Sequence, residues 1–213
     1  MACGKREVRS NFERYQRIAP LYDALDLAFE TRRYRKLRPL LFERLSGRVL
    51  DAGVGTGRNI AYYPAGATVL GIDISPAMLA RAEARRARSP ASVALRRMDV
   101  TRLDLADDSF DAAVASFLFC VLPDEAQALA LRELRRVVRN GGEVRLLDYV
   151  RPRGMMRRAI VKVWEPWTAW AYGASFDRDT EAQIVSAGLK VAEARYVVDD
   201  LVKLVKAVAV KPR

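Results

Sequence analysis

Three glycines in five positions, set directly behind an apolar run, constrain this chain more than any other feature. In VLDAGVGTGRNIAYYP, residues 49–64, Gly53, Gly55 and Gly57 follow the run VLDA. Glycine turns where side chains cannot, and its missing Cβ lets a ligand approach the backbone closely. A loop of this kind, following a strand and opening a helix, is where an open parallel sheet presents a nucleotide-like ligand site. The spacing is Gly-x-Gly-x-Gly. A dinucleotide loop needs glycine or alanine at the sixth position, where this chain has Arg58. The Gly-Lys-Ser/Thr ending of a nucleoside triphosphate loop is also missing, since Arg58 and Asn59 follow Gly57.

The sequence beyond the loop predicts an α/β fold. Short β-rich runs, RVLDAG, ATVLGID, VALRRMD, FDAAVAS and EVRLLDY, alternate with helical patterns from Gly47 onward. That alternation predicts a parallel sheet with helices on both faces. Pro76 starts one helix after Ser75; Pro123 starts another, running through DEAQALALRELRRVVRN to a stop at Gly141 and Gly142. In KVAEARYVVDDLVKLVKAVAV two strands meet at Asp199 and Asp200, too short a connection for a parallel crossover, so an antiparallel hairpin is expected. Residues 1–46 show helical spacing broken by Pro20 and Pro39 and are expected to form two or three helices as a cap. Residues 47–213 then make a single sheet domain.

Composition excludes several chemistries. The 213 residues contain no histidine, which removes His-based triads and His-containing metal sites, and no metal site is expected. Two cysteines, Cys3 and Cys120, give no disulfide framework, and Cys120 within FLFCVL reads as a small buried hydrophobe. No stretch approaches twenty apolar residues, and the opening MACGKREVRS lacks the apolar core of a secretory signal, so a cytoplasmic protein is expected. Lys and Arg outnumber Asp and Glu by 37 to 26, a net charge of +11. This balance suits nucleic acid or an anionic membrane, or simply a solvated arginine-rich surface.

Acidic strand ends narrow the ligand. Asp73 closes VLGID, sixteen residues after Gly57, where a carboxylate can accept both hydroxyls of a ribose. Asp99 closes RRMD at the same sheet edge, placed to accept from an adenine amino group while Val100 offers its N–H. With Asp51, the glycines and the strand FDAAVAS, the combination resembles the class I S-adenosylmethionine-dependent methyltransferases from about residue 12 to the end. The resemblance implies a Rossmann-like, seven-stranded, mostly parallel sheet whose last strand is antiparallel. It implies that Gly53, Gly55 and Gly57 lie under the methionine part of S-adenosylmethionine, that Asp51 helps hold its amino group, and that Asp73 takes the ribose. Ile74 would flank the adenine, Asp99 and Val100 would read its edge, and Ser116 would sit below the donor near the acceptor. S-adenosylhomocysteine would be the product.

The acceptor leaves fewer marks. Transfer from a sulfonium is a one-step displacement of an already activated methyl group, so orientation dominates and a general base is optional. Without histidine, Tyr22, Asp148 and Tyr149 are the candidate proton acceptors. Nucleic-acid amino-methyltransferases carry Asn/Asp-Pro-Pro-aromatic after the fourth strand; ASFLFCVLPD stands there instead, which argues against nucleic acid. In MMRRAIVKVWEPWTAWAYG, Met156, Ile160, Trp164, Trp167 and Ala171 recur at roughly helical spacing beside Arg157, Arg158 and Lys162. The segment, with Trp170 and Tyr172, suits either a membrane surface or a lid over the site. The element APLYD is similar to one in quinone-biosynthesis C-methyltransferases and bacterial phosphatidylethanolamine N-methyltransferases, where it covers the donor, so Tyr15 and Tyr22 are candidate pocket residues. The stretch GTGRNIAYYPAGATVLGIDISPAMLARA is similar to the bacterial phospholipid N-methyltransferase branch and to membrane-associated thiol methyltransferases. The expectation is a methyltransferase peripheral on the inner membrane face, acting on the amine of phosphatidylethanolamine. A quinone ring carbon, a small thiol or amine, and a non-catalytic donor-binding module are the alternatives.

Overall fold

The alternating pattern becomes one seven-stranded sheet in a computed structural model, which describes residues 34–172 and 180–211 together with Glu13, Tyr15, Gln16, Ile18, Ala19, Tyr22 and Phe176. The elements are α1 (Arg38–Phe42), β1 (Arg48–Ala52), β2 (Thr68–Asp73), α2 (Pro76–Arg86), β3 (Ser92–Arg97), β4 (Phe110–Ser116) and α3 (Asp124–Val137). β5 (Val138–Tyr149), α4 (Met155–Tyr172), α5 (Thr180–Ser186), β6 (Leu189–Val198) and β7 (Val202–Ala209) complete it. Strand order is β3-β2-β1-β4-β5-β7-β6. β7 pairs antiparallel with both β5 and β6, while the remaining pairings are parallel. The order reverses between β1 and β4, and this switch point is where such a sheet opens a crevice at its carboxyl edge.

The central strands are apolar on both faces because both faces are covered. Val49 and Val114 point into one core with Leu41, Phe42 and Leu147; Leu50, Ala113 and Ala115 point into the other with Leu131 and Leu134. The local signals at helix ends act as expected. Ser75 caps α2, its hydroxyl accepting from Met78 N at 3.3 Å, with Pro76 in the first turn. α3 begins at Asp124 after Pro123 and buries Ala126, Ala130, Leu131, Leu134 and Val137 along one stripe. Tyr34, Leu37, Leu41, Phe42 and Leu45 belong to the core beside Val49 and Val69, so residues 34–45 fill one face of the sheet. The two or three helices expected further upstream lie largely outside the described residues.

Two helices depart from expectation. After the glycine loop the chain makes only a 3-10 turn, Ile60–Tyr62. Pro64 and Gly66 follow too closely for a longer helix. α3 stops at Val137 instead of Asn140. Val138 is extended and pairs with Phe110, and the ladder resumes at Ala112 and Glu143, so residues 139–142 leave it as an irregularity. Gly142 fits there because a Cβ would stand 2.5 Å from the Asp111 carbonyl oxygen. The closing hairpin forms as expected, with Asp199 at φ +46° in its turn.

Candidate active site

The carboxyl ends of β1, β2, β3 and β4 converge on a cleft of about 900 Å³ including its open mouth. Gly53 and Gly55, at φ +71° and +54°, form its floor. A Cβ on Gly53 would come within 2.9 Å of Leu118, whereas one on Gly55 would meet nothing nearer than 3.9 Å, so the backbone at Gly55 faces open space. Gly57 is placed differently from Gly53 and Gly55. It does not line the cleft, and a Cβ there would press on Ile60 at 2.7 Å and on the Ala82 backbone of α2 at 2.8 Å. The third glycine seats the loop on α2.

Asp73 both lines the cleft and ties the loop down. Its two oxygens accept from Gly55 N at 3.0 Å and Ser75 N at 2.9 Å. Burial pushes its carboxyl above the ordinary value, and these amides pull the other way. Asp99, Val100 and Ile74 lie along the same wall with Met78 and Met98. Thr101 donates to Asp99 Oδ1 through both N and Oγ1 at 2.8 Å, which orients that carboxylate and engages one of its oxygens. Ser116, at the end of β4, completes the set at the loop's far side.

Asp51 is close to this floor but behind it. It is fully buried and accepts from Tyr63 Oη at 2.6 Å and from Asn59 Nδ2 at 3.0 Å, and it does not line the cleft. Asn59 Nδ2 also reaches Ser116 Oγ at 3.0 Å. Asp51 therefore holds the glycine loop and Ser116 through Asn59. Burial pushes its carboxyl up to about 6, against the pull of Tyr63, Asn59 and Arg38. Sequence reasoning missed Arg38. Its guanidinium, buried at the start of α1, donates to Asn59 Oδ1 at 2.7 Å and to Ser116 Oγ at 3.4 Å. The signal was an arginine directly before proline inside an otherwise apolar helix, RPLLF.

The other side of the cleft is aromatic and aliphatic. Tyr15 and Tyr22 line it from the N-terminal segment, with ring centroids 6.1 Å apart. Gln16 anchors that segment, its Oε1 accepting from Ser75 Oγ at 2.7 Å and Ala77 N at 2.9 Å. Phe117, Leu118, Val121 and Leu122 face Tyr15 and Tyr22 from the loop after β4. Phe117 holds a left-handed backbone, φ +53°, an uncommon state for a bulky residue. Its N–H donates to Leu147 O at 2.8 Å, and its ring packs on Tyr34 and Tyr149 at 4.7 and 5.3 Å.

Two candidate proton acceptors are not at the cleft. Asp148 is buried and accepts from the N–H groups of Phe119 at 2.6 Å, Cys120 at 3.2 Å and Tyr149 at 2.8 Å. It shapes the loop that carries Phe117 and Leu118, and burial pushes its carboxyl up to about 6. Tyr149 shares a hydroxyl hydrogen bond with Tyr34 and packs on Phe117 and Phe176, behind the wall. Of the three, Tyr22 alone lines the cleft. Arg157 is paired with Asp200, and Arg158 Nε donates to Pro152 O at 2.6 Å; neither lines the cleft. Trp164, Trp167, Trp170 and Tyr172 lie on α4, their side chains outside the described residues. Among the described residues no group of His, Cys, Asp and Glu is placed to hold a metal ion.

Residues 49–142 match the family model of a methyltransferase domain. With this sheet order and a cleft at its switch point, the chain belongs to the class I S-adenosylmethionine-dependent methyltransferases. Over 141 residues it is 40% identical to the phosphatidylethanolamine N-methyltransferase of Cereibacter sphaeroides, a match covering 63% of this chain and 68% of that protein. It is 32% identical over 145 residues to the ubiquinone/menaquinone biosynthesis C-methyltransferase of Citrifermentans bemidjiense, covering 63% of this chain and 61% of that one. The chain thus spans somewhat under two thirds of the second relative's length. A solved S-adenosylmethionine-dependent methyltransferase from Thermotoga maritima superposes with a TM-score of 0.71 at 19% identity, covering 93% of this chain and 99% of that one, which shows the shared fold.

The cleft fits this donor. Gly55 leaves open the space that a side chain would fill, the half-buried Asp73 carboxylate is fixed by two amides, and Ile74, Met98 and Val100 would provide apolar contact for a flat base.

Proposed function

We propose that the protein methylates the amine of phosphatidylethanolamine, or of a closely related amphiphile, while peripheral on the inner membrane face. The observation that carries this reading is the 40% identity to a phosphatidylethanolamine N-methyltransferase over 141 residues. The donor supplies an electrophilic methyl group on a sulfonium. The chain's part is to orient the two reactants and keep water away, effects worth up to roughly 7–11 kcal/mol together. Gly53, Gly55, Asp73 and Asp99 would hold the donor against the β-edge, and Phe117, Leu118 and Val121 would wall the acceptor side. Tyr15 and Tyr22 would close over the amine, their ring faces suiting a group that gains positive charge as it is methylated. The proton that the ammonium form of the amine must shed before attack goes to water, directly or relayed through the Tyr22 hydroxyl, since the buried Asp148 is engaged by backbone amides.

The net charge of +11 supports a surface with anionic headgroups as the place of reaction. Among the described residues no helix is long and apolar enough to cross a membrane. The test is to incubate the protein with methyl-labelled S-adenosylmethionine and vesicles of phosphatidylethanolamine, a demethylated quinol, or a small thiol. Label in mono- and dimethylated phosphatidylethanolamine is expected. Label confined to the quinol ring or to the thiol would overturn the lipid-amine reading.

A further inference from the structure

The first half of α4 turns its apolar side outward. A helix on a globular surface normally turns its apolar stripe inward and its polar face to solvent. Here, among the described side chains of the helix, those half-buried against the molecule are Arg157, Val161, Glu165 and Thr168, which recur at three- and four-residue steps and are mostly polar. The opposite arc carries Met155, Met156, Ile160 and Val163, exposed by 84, 81, 53 and 77%. Arg157 on the inner side is engaged with Asp200 of the β6–β7 turn, and Arg153 N and Gly154 N donate to the same carboxylate at 2.8 and 3.2 Å. The start of the helix is therefore fastened to the body with its polar side in.

The rim of the exposed stripe has one sign of charge. Arg151, Arg153, Arg158 and Lys162 are exposed, and residues 151–163 contain no acidic residue. The helix follows the carboxyl end of β5, so it leaves the sheet at the edge where the cleft opens.

We infer that the Met155, Met156, Ile160 and Val163 face of α4 is a docking surface for an anionic lipid bilayer. The apolar arc lies at the headgroup boundary and the basic rim meets lipid phosphates, the arrangement of an interfacial amphipathic helix. A second copy of the chain fits this face poorly, since stripe-to-stripe packing would bring the two basic rims together. The inference deepens the membrane side of the proposed function and is independent of which atom is methylated.

Co-sedimentation of the full chain with vesicles of phosphatidylcholine and phosphatidylglycerol, against phosphatidylcholine alone, tests it. Binding to the anionic vesicles that weakens with salt is expected. The double variant Met156→Asp/Ile160→Asp should lose more than about tenfold in vesicle affinity while S-adenosylmethionine affinity stays unchanged, and Met156→Leu/Ile160→Leu should bind as the parent does. Arg158→Gln and Lys162→Gln should each cost roughly fivefold, the loss of one basic residue at an anionic surface. Parent-like vesicle binding by the Asp double variant overturns the inference. So does light scattering that shows a dimer abolished by that variant, with no vesicle binding by the parent. A soluble short-chain phosphatidylethanolamine separates the two readings. Its methylation by the non-docking variant supports both, whereas a parent that docks on vesicles yet methylates no phosphatidylethanolamine leaves the docking surface standing and removes the acceptor.

Discussion

At the scale of single residues, the site depends on carboxylates that do unlike work from similar positions. Asp73 faces the cleft and Asp51 lies behind it, yet both sit at strand ends beside the same loop. Asp73→Ala removes the acceptor for two backbone amides and, on the proposed reading, a contact to the donor. Affinity for S-adenosylmethionine should fall about 10- to 100-fold, the equivalent of one or two hydrogen bonds to a charged group. Titration calorimetry reads this directly, and an unchanged dissociation constant would remove Asp73 from the donor site. Arg38 acts on the loop through Asn59 and on the end of β4 through Ser116. Arg38→Met would strip Asn59 and Ser116 of a buried donor and take a positive charge from the neighbourhood of Asp51. A loss of ~2–3 kcal/mol in urea unfolding is expected. A midpoint equal to the parent's would show that water replaces the guanidinium without cost.

Within the elements, the glycine loop illustrates how a motif divides its labour. Gly57→Ala puts a methyl group against the α2 backbone at a positive φ, where neither the helix nor the loop can yield cheaply. It should destabilise the domain by about 2 kcal/mol or more, through overpacking and backbone strain together. A thermal midpoint within a degree or two of the parent's would refute that. The loop, the strands at 48–52, 68–73, 92–97 and 110–116 and the closing hairpin were legible in the sequence, because their signals are local: glycine spacing, apolar runs and short polar turns. What escaped was long-range. Nothing near Asp148 in the sequence says that the amides of Phe119 and Cys120 will be 2.6 and 3.2 Å from its oxygens, so a carboxylate at a strand end looked available for proton transfer. Arg38 escaped for the same reason, its partners lying 21 and 78 residues away. The inward polar face of α4 could not be told from periodicity, which shows that a helix is two-sided but not which side is out.

For the whole molecule, two buried carboxyls set an unusual pH response. Asp51 and Asp148 are both pushed from 3.8 to about 6 in the folded protein. A group raised in this way contributes stability that is fully present below its unfolded value and is lost as pH rises through the folded one. Exposed carboxylates held low by hydrogen bonds and cations, such as Asp111 beside Arg48 and Arg139, act in the opposite sense. Asp148→Asn cannot titrate. Its stability relative to the parent should therefore improve as pH is raised from about 4 to about 7, by ~2–3 kcal/mol, on top of a constant loss from the weakened amide anchors. Thermal unfolding across that range measures it, and a pH-independent gap would show that Asp148 does not titrate there. The strand order carries a different consequence, one for synthesis. β7 lies between β5 and β6 although it comes after both in the chain. As the polypeptide leaves the ribosome, β5 presents an open edge and β6 has nothing to pair with until residues 202–209 emerge. The sheet is locked from its interior by the last of its strands to be made, and until then the nascent chain holds a donor site on an unfinished scaffold.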